Sequence, residues 1–490
     1  MRKDIGVLDV FGRKTMGQSG IDTLILVPWG HPAAWRQVRY TTSGISLDHC
    51  ATLPLLLKMF PRSEVFVLVL DSLVEEAPKP QSPSKCWQCY EENIEQLRYA
   101  SQAKSYKELR DQLAEFLSSY VKCLLGDQYK PVIHPVICPA VGRPGGKWIF
   151  RGNPRDFESI ALYDLGKTIM EKPFSSIVVD TTHGVNFMPS LTTRLANRLA
   201  SLLLARHEHL VLAEQRGVKI YIYNADPVPL ASPGQPEMSL NLIAEETHSS
   251  IQIPPVIPEN LLETMDPGTQ PSIELNKTYF EYAGLVASSL YYPLPLLLVH
   301  AVSQETAAKS WDVLVKAHGE WETSVEISGN TVQRRLALNP DALYLLMLTV
   351  AVAKRLEEKG LSYPTDTRQL AQVLPLYEAV NEAHRYIIED ELARIEKKTV
   401  RIQRILKEAD WTPLSLIYLE PNQHFSAVKK RTMIAHAGLQ KEIVQVKLLE
   451  NGQVLLRYNS AWENKPIQQL SSSGLLLHNI RQPLDASFTL

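Results

Sequence analysis

The stretch Ile177-Val-Val-Asp180-Thr181-Thr182-His183-Gly184-Val185-Asn186-Phe187-Met188-Pro189 decides how the first half of the chain is read. It opens as a short apolar, β-branched run, the pattern of a buried strand. It continues as a loop dense in hydroxyl, amide and imidazole groups around a glycine that permits close backbone approach. Residues 23–28, 65–70, 132–141 and 218–223 repeat the apolar run. Between these runs, residues 47–60, 92–125, 157–170 and 190–216 carry apolar side chains at helical spacing. Strand and helix alternate, which predicts an α/β unit: a Rossmann-like, mostly parallel sheet with helices on both faces.

Ligands of such sheets bind beyond the carboxyl ends of the strands. The loops expected there hold Trp29, Gly30 and His31 after the first strand and Ser72 after the second. Thr181, Thr182, His183, Gly184 and Asn186 follow the fourth. These nine residues form the candidate ligand site, with Thr181, Thr182 and Asn186 suited to bases or riboses and the amides near Gly30 and Gly184 suited to phosphates. The dinucleotide fingerprint G-x-G-x-x-G and the P-loop pattern are both absent from the sequence, which argues against a nicotinamide, flavin or P-loop enzyme. Gly142, Gly145 and Gly146 sit with Pro144 in a segment that reads as a hairpin turn.

At 490 residues the chain calls for two or three domains. Its 45% hydrophobic and 21% charged residues describe a globular protein, and a formal net charge of -2 speaks against a nonspecific nucleic-acid coat. Five cysteines and the polar start Met1-Arg-Lys-Asp-Ile, without a secretory pattern, make a reducing cytoplasm the expected location. Cys86 and Cys89 have C-x-x-C spacing but follow a Pro/Ser-rich stretch, so they read as incidental thiols and no metal site is expected. His207 and His209, two apart on a helix, read as a solvated face. Residues 283–302 are largely apolar but contain Ser288, Ser289, Pro293 and Pro295, which favours a buried helix pair over a membrane span.

Residues 228–270 are rich in Pro, Ser and Glu and read as a linker or irregular connection. Beyond them the pattern turns helical, over 341–359 with Pro340 before and Gly360 after, then over 367–385 and 389–408. Residues 444–449 and 454–458 flank Glu450-Asn451-Gly452-Gln453, a hairpin signal. The expected organisation is an α/β ligand-sensing domain over 1–228, a linker over 229–270, and a helical domain with a small β-hairpin appendage over 271–490.

Within the helical half lies Arg431-Thr-Met-Ile-Ala-His436-Ala-Gly-Leu439. With 25 Arg and 13 His in the chain, an Arg–His pair at this spacing arises by accident about 0.7 times. Its weight therefore comes from context, including the basic run Lys429-Lys430-Arg431 beside it. His exchanges protons near neutrality, while Arg stays charged and offers a planar fork to phosphate oxygens. Together they suit transfer chemistry at a phosphodiester.

Residues 24–35 (L-I-L-V-P-W-G-H-P-A-A-W) and 177–189 resemble the CRISPR-associated Rossmann-fold (CARF) domain of Csx-type proteins. Residues 431–439 are similar to the catalytic helix of HEPN ribonucleases, which form the C-terminal half of the same proteins. The pattern departs at Thr432, where many HEPN sequences place an amide, and at His31, where Asn is common. The resemblance implies an effector of type III CRISPR antiviral defence. Its CARF domain would sense a cyclic oligoadenylate, best known as cyclic tetra-adenylate, and its HEPN domain would cleave single-stranded RNA through Arg431 and His436, without metal or other cofactor. A homodimer or a multiple of one is expected, since residues five apart on a helix point about 140° from each other and a two-fold partner would complete the site. No DNA or membrane partner is expected. Two other classes share the first domain: a ligand-sensing transcription regulator, which would need a basic recognition helix, and a ring nuclease that degrades the cyclic oligoadenylate at His183.

Overall fold

The computed structural model describes residues 22–80, 83–127, 129, 131–212, 216–227, 236–302, 305–401, 410–418 and 430–472. The first five residues, Val228, Lys429, and parts of the helices expected over 190–216 and 389–408 lie outside the described residues. The first strand, β1 (Thr23–Trp29), is buried at every position. It runs parallel between β4 (Ser63–Leu70) and β7 (Ser176–Asp180). A strand covered on both faces gains from continuous rather than alternating apolar sequence, and T-L-I-L-V-P-W is such a run. On the outer flanks, β5 (Val132–Cys138) pairs parallel with β4, and β8 (Val218–Ala225) parallel with β7.

From β1 the chain moves outward through β4 to β5 and then crosses back to β7 and β8. The direction of winding thus reverses at β1, and the crevice at the carboxyl ends of β1 and β7 is a topological switch point. The connecting helices are α1 (Leu53–Met59), α2 (Lys85–Glu92), α3 (Ile94–Ala100), α4 (Tyr106–Leu125), α5 (Asp156–Glu171), α6 (Met188–Arg206) and the short α7 (His209–Leu212). The expected single helix over 92–125 is thus divided, as is that over 190–216. His207 caps α6, and its Nε2 bonds the Ile169 carbonyl at 3.0 Å, so this ring is a packed junction rather than a solvated face.

Three readings of the sequence are corrected. Residues 47–60 are not one helix: β2 (Val38–Thr42) and β3 (Ile45–His49) form an antiparallel hairpin through Ser43 and Gly44, both at positive φ, before α1 begins. The stretch read as a linker contains β9 (Glu237–His248), a twelve-residue strand antiparallel to β8 and, at its start, parallel to β2. Its prolines lie before and after this strand, whereas Met238 and Leu240 within it alternate into the core. The described sheet therefore has eight strands in the order β3-β2-β9-β8-β7-β1-β4-β5. Finally, Cys86 and Cys89 are not free thiols. Cys50 lies after β3 and Cys123 in α4, and the fold brings them within Cα distances of 6.0 and 5.7 Å of Cys86 and Cys89, with which they form disulfides. Cys138 is free and buried.

The second half is mainly helical: α8 (Ile273–Tyr291), α9 (Pro295–Ala301), α10 (Thr306–Thr323), α11 (Pro340–Glu358), α12 (Thr367–Ala371), α13 (Leu374–Val380) and α14 (Glu382–Arg401). Between Ala342 and Ala353 every residue of α11 is buried, because the helix lies between α5 and α6 on one side and α8 and α10 on the other. The apolar segment of 283–302 is the buried α8–α9 pair, and among the described residues no helix is long and apolar enough to cross a membrane. Short strands add to the helices. In the middle of the chain these are β10 (Leu262–Thr264), β11 (Val325–Ser328), β12 (Thr331–Arg334) and β13 (Leu336–Leu338), with β6 (Ile149–Arg151) parallel to β12. The turn through Gly142 closes on Phe150 with reciprocal backbone bonds, as a hairpin reading requires. At the C-terminal end, the expected hairpin is β16 (Val444–Leu448) and β17 (Val454–Tyr458), extended to a four-stranded antiparallel sheet by β14 (Thr365–Asp366) and β15 (Thr412–Pro413).

Candidate functional sites

At the switch point the loops after β1 and β7 are joined directly, for the Gly30 amide donates to the His183 carbonyl at 2.7 Å. A Cβ at position 30 would stand 2.7 Å from Val185 Cγ1, so any larger residue there requires the Val185 side chain to move. The β7 loop is fixed in turn to β8: Thr181 Oγ1 donates to the Tyr223 carbonyl, and Thr182 Oγ1 donates to Asp180 while accepting from the Ala225 amide. The buried Asp180 also takes the Thr52 hydroxyl, and burial raises its carboxyl.

These bonds leave a cleft of about 570 Å³ whose walls include Trp35, Arg36, Tyr40, Thr182, His183, Asn224 and Asp226. The Trp35 and His183 rings stack at 4.0 Å, and the Tyr40 hydroxyl lies 3.5 Å from His183 Nε2. Burial pushes the His183 imidazole down to about 3, so the ring is neutral at physiological pH. An aromatic wall beside a guanidinium, an amide and a neutral imidazole is suited to bases and phosphates.

Of the nine residues expected here, the fold brings Thr182 and His183 into the cleft wall. Trp29 is buried in the core against Trp35 and Tyr120, so it has no stacking surface to offer. His31 caps a 3-10 turn through Nδ1 and contacts the Glu75 carbonyl through Nε2, which engages both ring nitrogens. The Gly30 and Gly184 amides are bonded to His183 and Thr181, not held open for phosphate. Asn186 is exposed at φ 53, and Ser72 stands in the turn after β4. Sequence reading missed Tyr40, which depends on the hairpin, and Trp35, which is placed by the 3-10 turn Pro32–Ala34 before it. The signal was present: Val38 to His49 alternates around Ser-Gly, a hairpin turn pair.

The second site lies on the helix Lys430–Ala435. It ends earlier than the motif does, because Ala437 and Gly438 are left-handed and the Gly438 amide closes on the Met433 carbonyl. Gly438 is required here, since a Cβ would meet Leu294 at 3.1 Å and the Tyr458 hydroxyl at 3.3 Å. His436 keeps a helical bond to Thr432 and sits on the terminal turn, its side chain 43% exposed, while Arg431 is exposed. Lys430 lies over the Tyr292 ring.

The fold brings a carboxylate to this pair from a distant part of the chain. Glu391 of α14 is 6% exposed, and its Oε1 lies 3.3 Å from His436 Nδ1 and 3.1 Å from Arg394 Nη1. A carboxylate only accepts, so Nδ1 carries a proton in this contact and Nε2 is the nitrogen left to face the substrate. An oriented imidazole beside an exposed guanidinium can move a proton and hold a phosphate oxygen. Among the described residues, no group of three or more His, Cys, Asp or Glu could hold a metal ion. A larger cavity of about 740 Å³ between β10 and α8 touches neither site and is lined by Glu259, Glu263 and Glu281, which suits an oligonucleotide poorly.

Comparison with known proteins agrees with this division. The model of the CARF domain of the CRISPR system endoribonuclease Csx1 matches residues 24–227, and that of its HEPN domain matches residues 381–460. The chain is similar to the CRISPR system endoribonuclease Csx1 of Methanocaldococcus jannaschii, with 26% identity over 209 residues, or 42% of this chain and 37% of that protein. The match thus spans well under half the length of this curated relative. With the cleft inside the first matched region and the Arg431–His436–Glu391 group inside the second, the chain belongs to the CARF–HEPN family of CRISPR-associated proteins.

Proposed function

We propose that this protein is a metal-independent endoribonuclease that cleaves single-stranded RNA when a cyclic oligoadenylate, cyclic tetra-adenylate in the first instance, occupies the CARF cleft. The observation that carries the reading is the contact of His436 Nδ1 with the buried Glu391, which leaves Nε2 for the substrate beside the exposed Arg431. In the proposed reaction the substrate's 2′-oxygen attacks the adjacent phosphorus and the 5′-oxygen leaves, giving a 2′,3′-cyclic phosphate and a 5′-hydroxyl. His436 exchanges the proton and Arg431 stabilises charge on the phosphate oxygens. The active form is a homodimer or a multiple of one, in which a second Arg–His pair completes the site. Light scattering at nanomolar concentration should find no active monomer. Incubating labelled RNA and labelled cyclic oligoadenylate with the protein, together and separately, tests the whole reading: RNA cleaved only in the presence of activator supports it. Activator consumed without RNA cleavage would make the protein a ring nuclease, and neither reaction would favour a transcription regulator.

Glu391 acts in this mechanism by positioning His436. Glu391→Ala should lower kcat at least roughly tenfold with little change in KM. Loss of the orienting carboxylate costs up to about 10⁴ in Ser-His-Asp hydrolases through the wrong tautomer. Glu391→Gln, whose amide can donate to Nδ1 and so hold the wrong tautomer, should be impaired at least as much, whereas Glu391→Asp keeps a carboxylate and should recover part of the rate; equal rates for Glu391→Ala and the wild-type enzyme would remove Glu391 from the mechanism.

In the CARF cleft, Trp35→Ala and His183→Ala should each weaken cyclic oligoadenylate binding by roughly tenfold, the order of one lost base stack. The pH dependence follows from the depressed imidazole. His183 would have to approach pH 3 to gain a proton, so affinity should show no His183-dependent change between pH 5 and 8. A calorimetric affinity that rises on acidification through pH 6.5, and loses that rise in His183→Ala, would contradict the neutral assignment.

A further inference from the structure

The small C-terminal sheet buries one face and leaves the other without a role in the core. Val444, Val446 and Leu448 of β16 and Val454, Leu456 and Tyr458 of β17 point inward and are buried. The alternate positions present a different chemistry on the outer face. There the Arg457 guanidinium lies over the Trp411 ring at 4.3 Å, and its Nε donates to Gln445 Oε1 at 2.9 Å. Gln445 pairs with Arg457 and Lys447 with Leu455 across the hairpin, so these four side chains share one surface, beside β15, which Trp411 immediately precedes. Trp411 is only partly buried, as are Gln445, Lys447 and Arg457.

An aromatic ring, a guanidinium over it, an amide and an ammonium on the outer sheet face form the combination that takes unpaired nucleobases and phosphates. The Arg–His helix lies behind this face: the turn that ends it brings Gly438 against the hydroxyl of Tyr458, the inward-pointing neighbour of Arg457. A single strand held at His436 would reach the outer face round the edge of this small sheet. We propose that the outer face formed by Trp411, Gln445, Lys447 and Arg457 is a binding platform for the single-stranded RNA that flanks the cleavage position. This rests on the ribonuclease reading and extends it by naming where the rest of the substrate is held. One group on the rim opposes it: Asp410, whose side chain is 86% exposed, stands 3.5 Å from Lys447 and repels phosphate.

That opposition gives the test two signs. With the full-length protein and a 2′-O-methyl single-stranded oligonucleotide, which lacks the attacking hydroxyl, fluorescence anisotropy should show a roughly tenfold or greater loss of affinity for Trp411→Ala. Trp411→Phe should restore part of it. Lys447→Gln should weaken binding and flatten its salt dependence, while Asp410→Asn should tighten it. On cleavable RNA the losses should appear in KM, with kcat and the rate on a dinucleotide unchanged. If Trp411→Ala fails to fold, the opposite shifts of Lys447→Gln and Asp410→Asn decide. Unchanged affinities in those variants, with wild-type protein that binds and cleaves RNA, overturn the platform and leave the ribonuclease reading intact. Wild-type protein that neither binds nor cleaves RNA overturns both. Trp411→Ala with unchanged RNA affinity but altered self-association would mark the face as a protein contact and equally overturn the proposal.

Discussion

His436→Ala is expected to lower the rate of activated RNA cleavage by roughly 10²–10⁴-fold, the range over which a positioned proton-transfer group contributes. The imidazole sits on the terminal turn of a short helix, held by a backbone bond to Thr432 and by its contact with Glu391, so its removal deletes the oriented proton-transfer group of this site. Arg431→Ala should cost about 10²–10³-fold, as removal of one transition-state donor does elsewhere. Arg431→Lys should recover only part, since a single ammonium cannot reproduce the bidentate fork. Binding of cyclic oligoadenylate should be untouched in all three variants, because the cleft belongs to the other matched region. EDTA should leave the wild-type rate unchanged, the products should end in 2′,3′-cyclic phosphate, and a 2′-deoxyribose at the cut position should resist. Wild-type turnover in His436→Ala, or complete arrest by EDTA, would move the chemistry to another group.

How much of this was legible in the sequence depends on whether a feature is local. Strands β1 and β4 were readable because burial on both faces writes a continuous apolar run. Arg431 and His436 were readable because they share one turn-and-a-half of chain. Glu391 was not, since it reaches His436 from 45 positions away on a charged helix where a carboxylate looks like solvated surface. The disulfides were hidden in the same way, by separations of 36 and 34 residues. Strand β9 failed for another reason: Leu242 and Ile243, adjacent in sequence, are both exposed, which interrupts the alternation that marks a half-buried strand. In the cleft, Thr181 and the amides at positions 30 and 184 looked like ligand groups because their polarity was visible, whereas the internal partners that engage them were not.

Arg334→Met should destabilise the protein by about 3–5 kcal/mol, the usual cost of stranding one member of a buried ion pair. Arg334 and Asp71 both have fully buried side chains. Asp71 begins the turn after β4, accepts the Ala140 amide and the Tyr106 hydroxyl, each at 2.8 Å, and pairs with Arg334. Arg334, at the end of β12, also donates to the Ala140 carbonyl at 2.8 Å. One guanidinium thus ties the carboxyl ends of β4 and β5 to the middle segment of the chain. Burial raises the Asp71 carboxyl, and Arg334, the Ala140 amide and Tyr106 pull it back down. Without Arg334 only the upward push grows, so the folded variant should hold Asp71 protonated to higher pH than the unfolded chain does. A carboxyl with a raised folded pKa loses stability as pH climbs above its unfolded value near 3.9. The deficit of Arg334→Met should therefore be largest near neutrality and shrink toward pH 4. Converting both partners, as Asp71→Leu with Arg334→Met, should recover most of the loss, because no charge is then left buried. Urea midpoints at pH 7 and pH 5 would measure all three proteins. The CARF cleft lies across β1, among the loops of β7, β8 and β9, so cyclic oligoadenylate affinity of the folded single variant should stay close to wild type. A loss below about 1 kcal/mol at pH 7, or one that deepens on acidification, would show that Asp71 and Arg334 do not act as a charged pair.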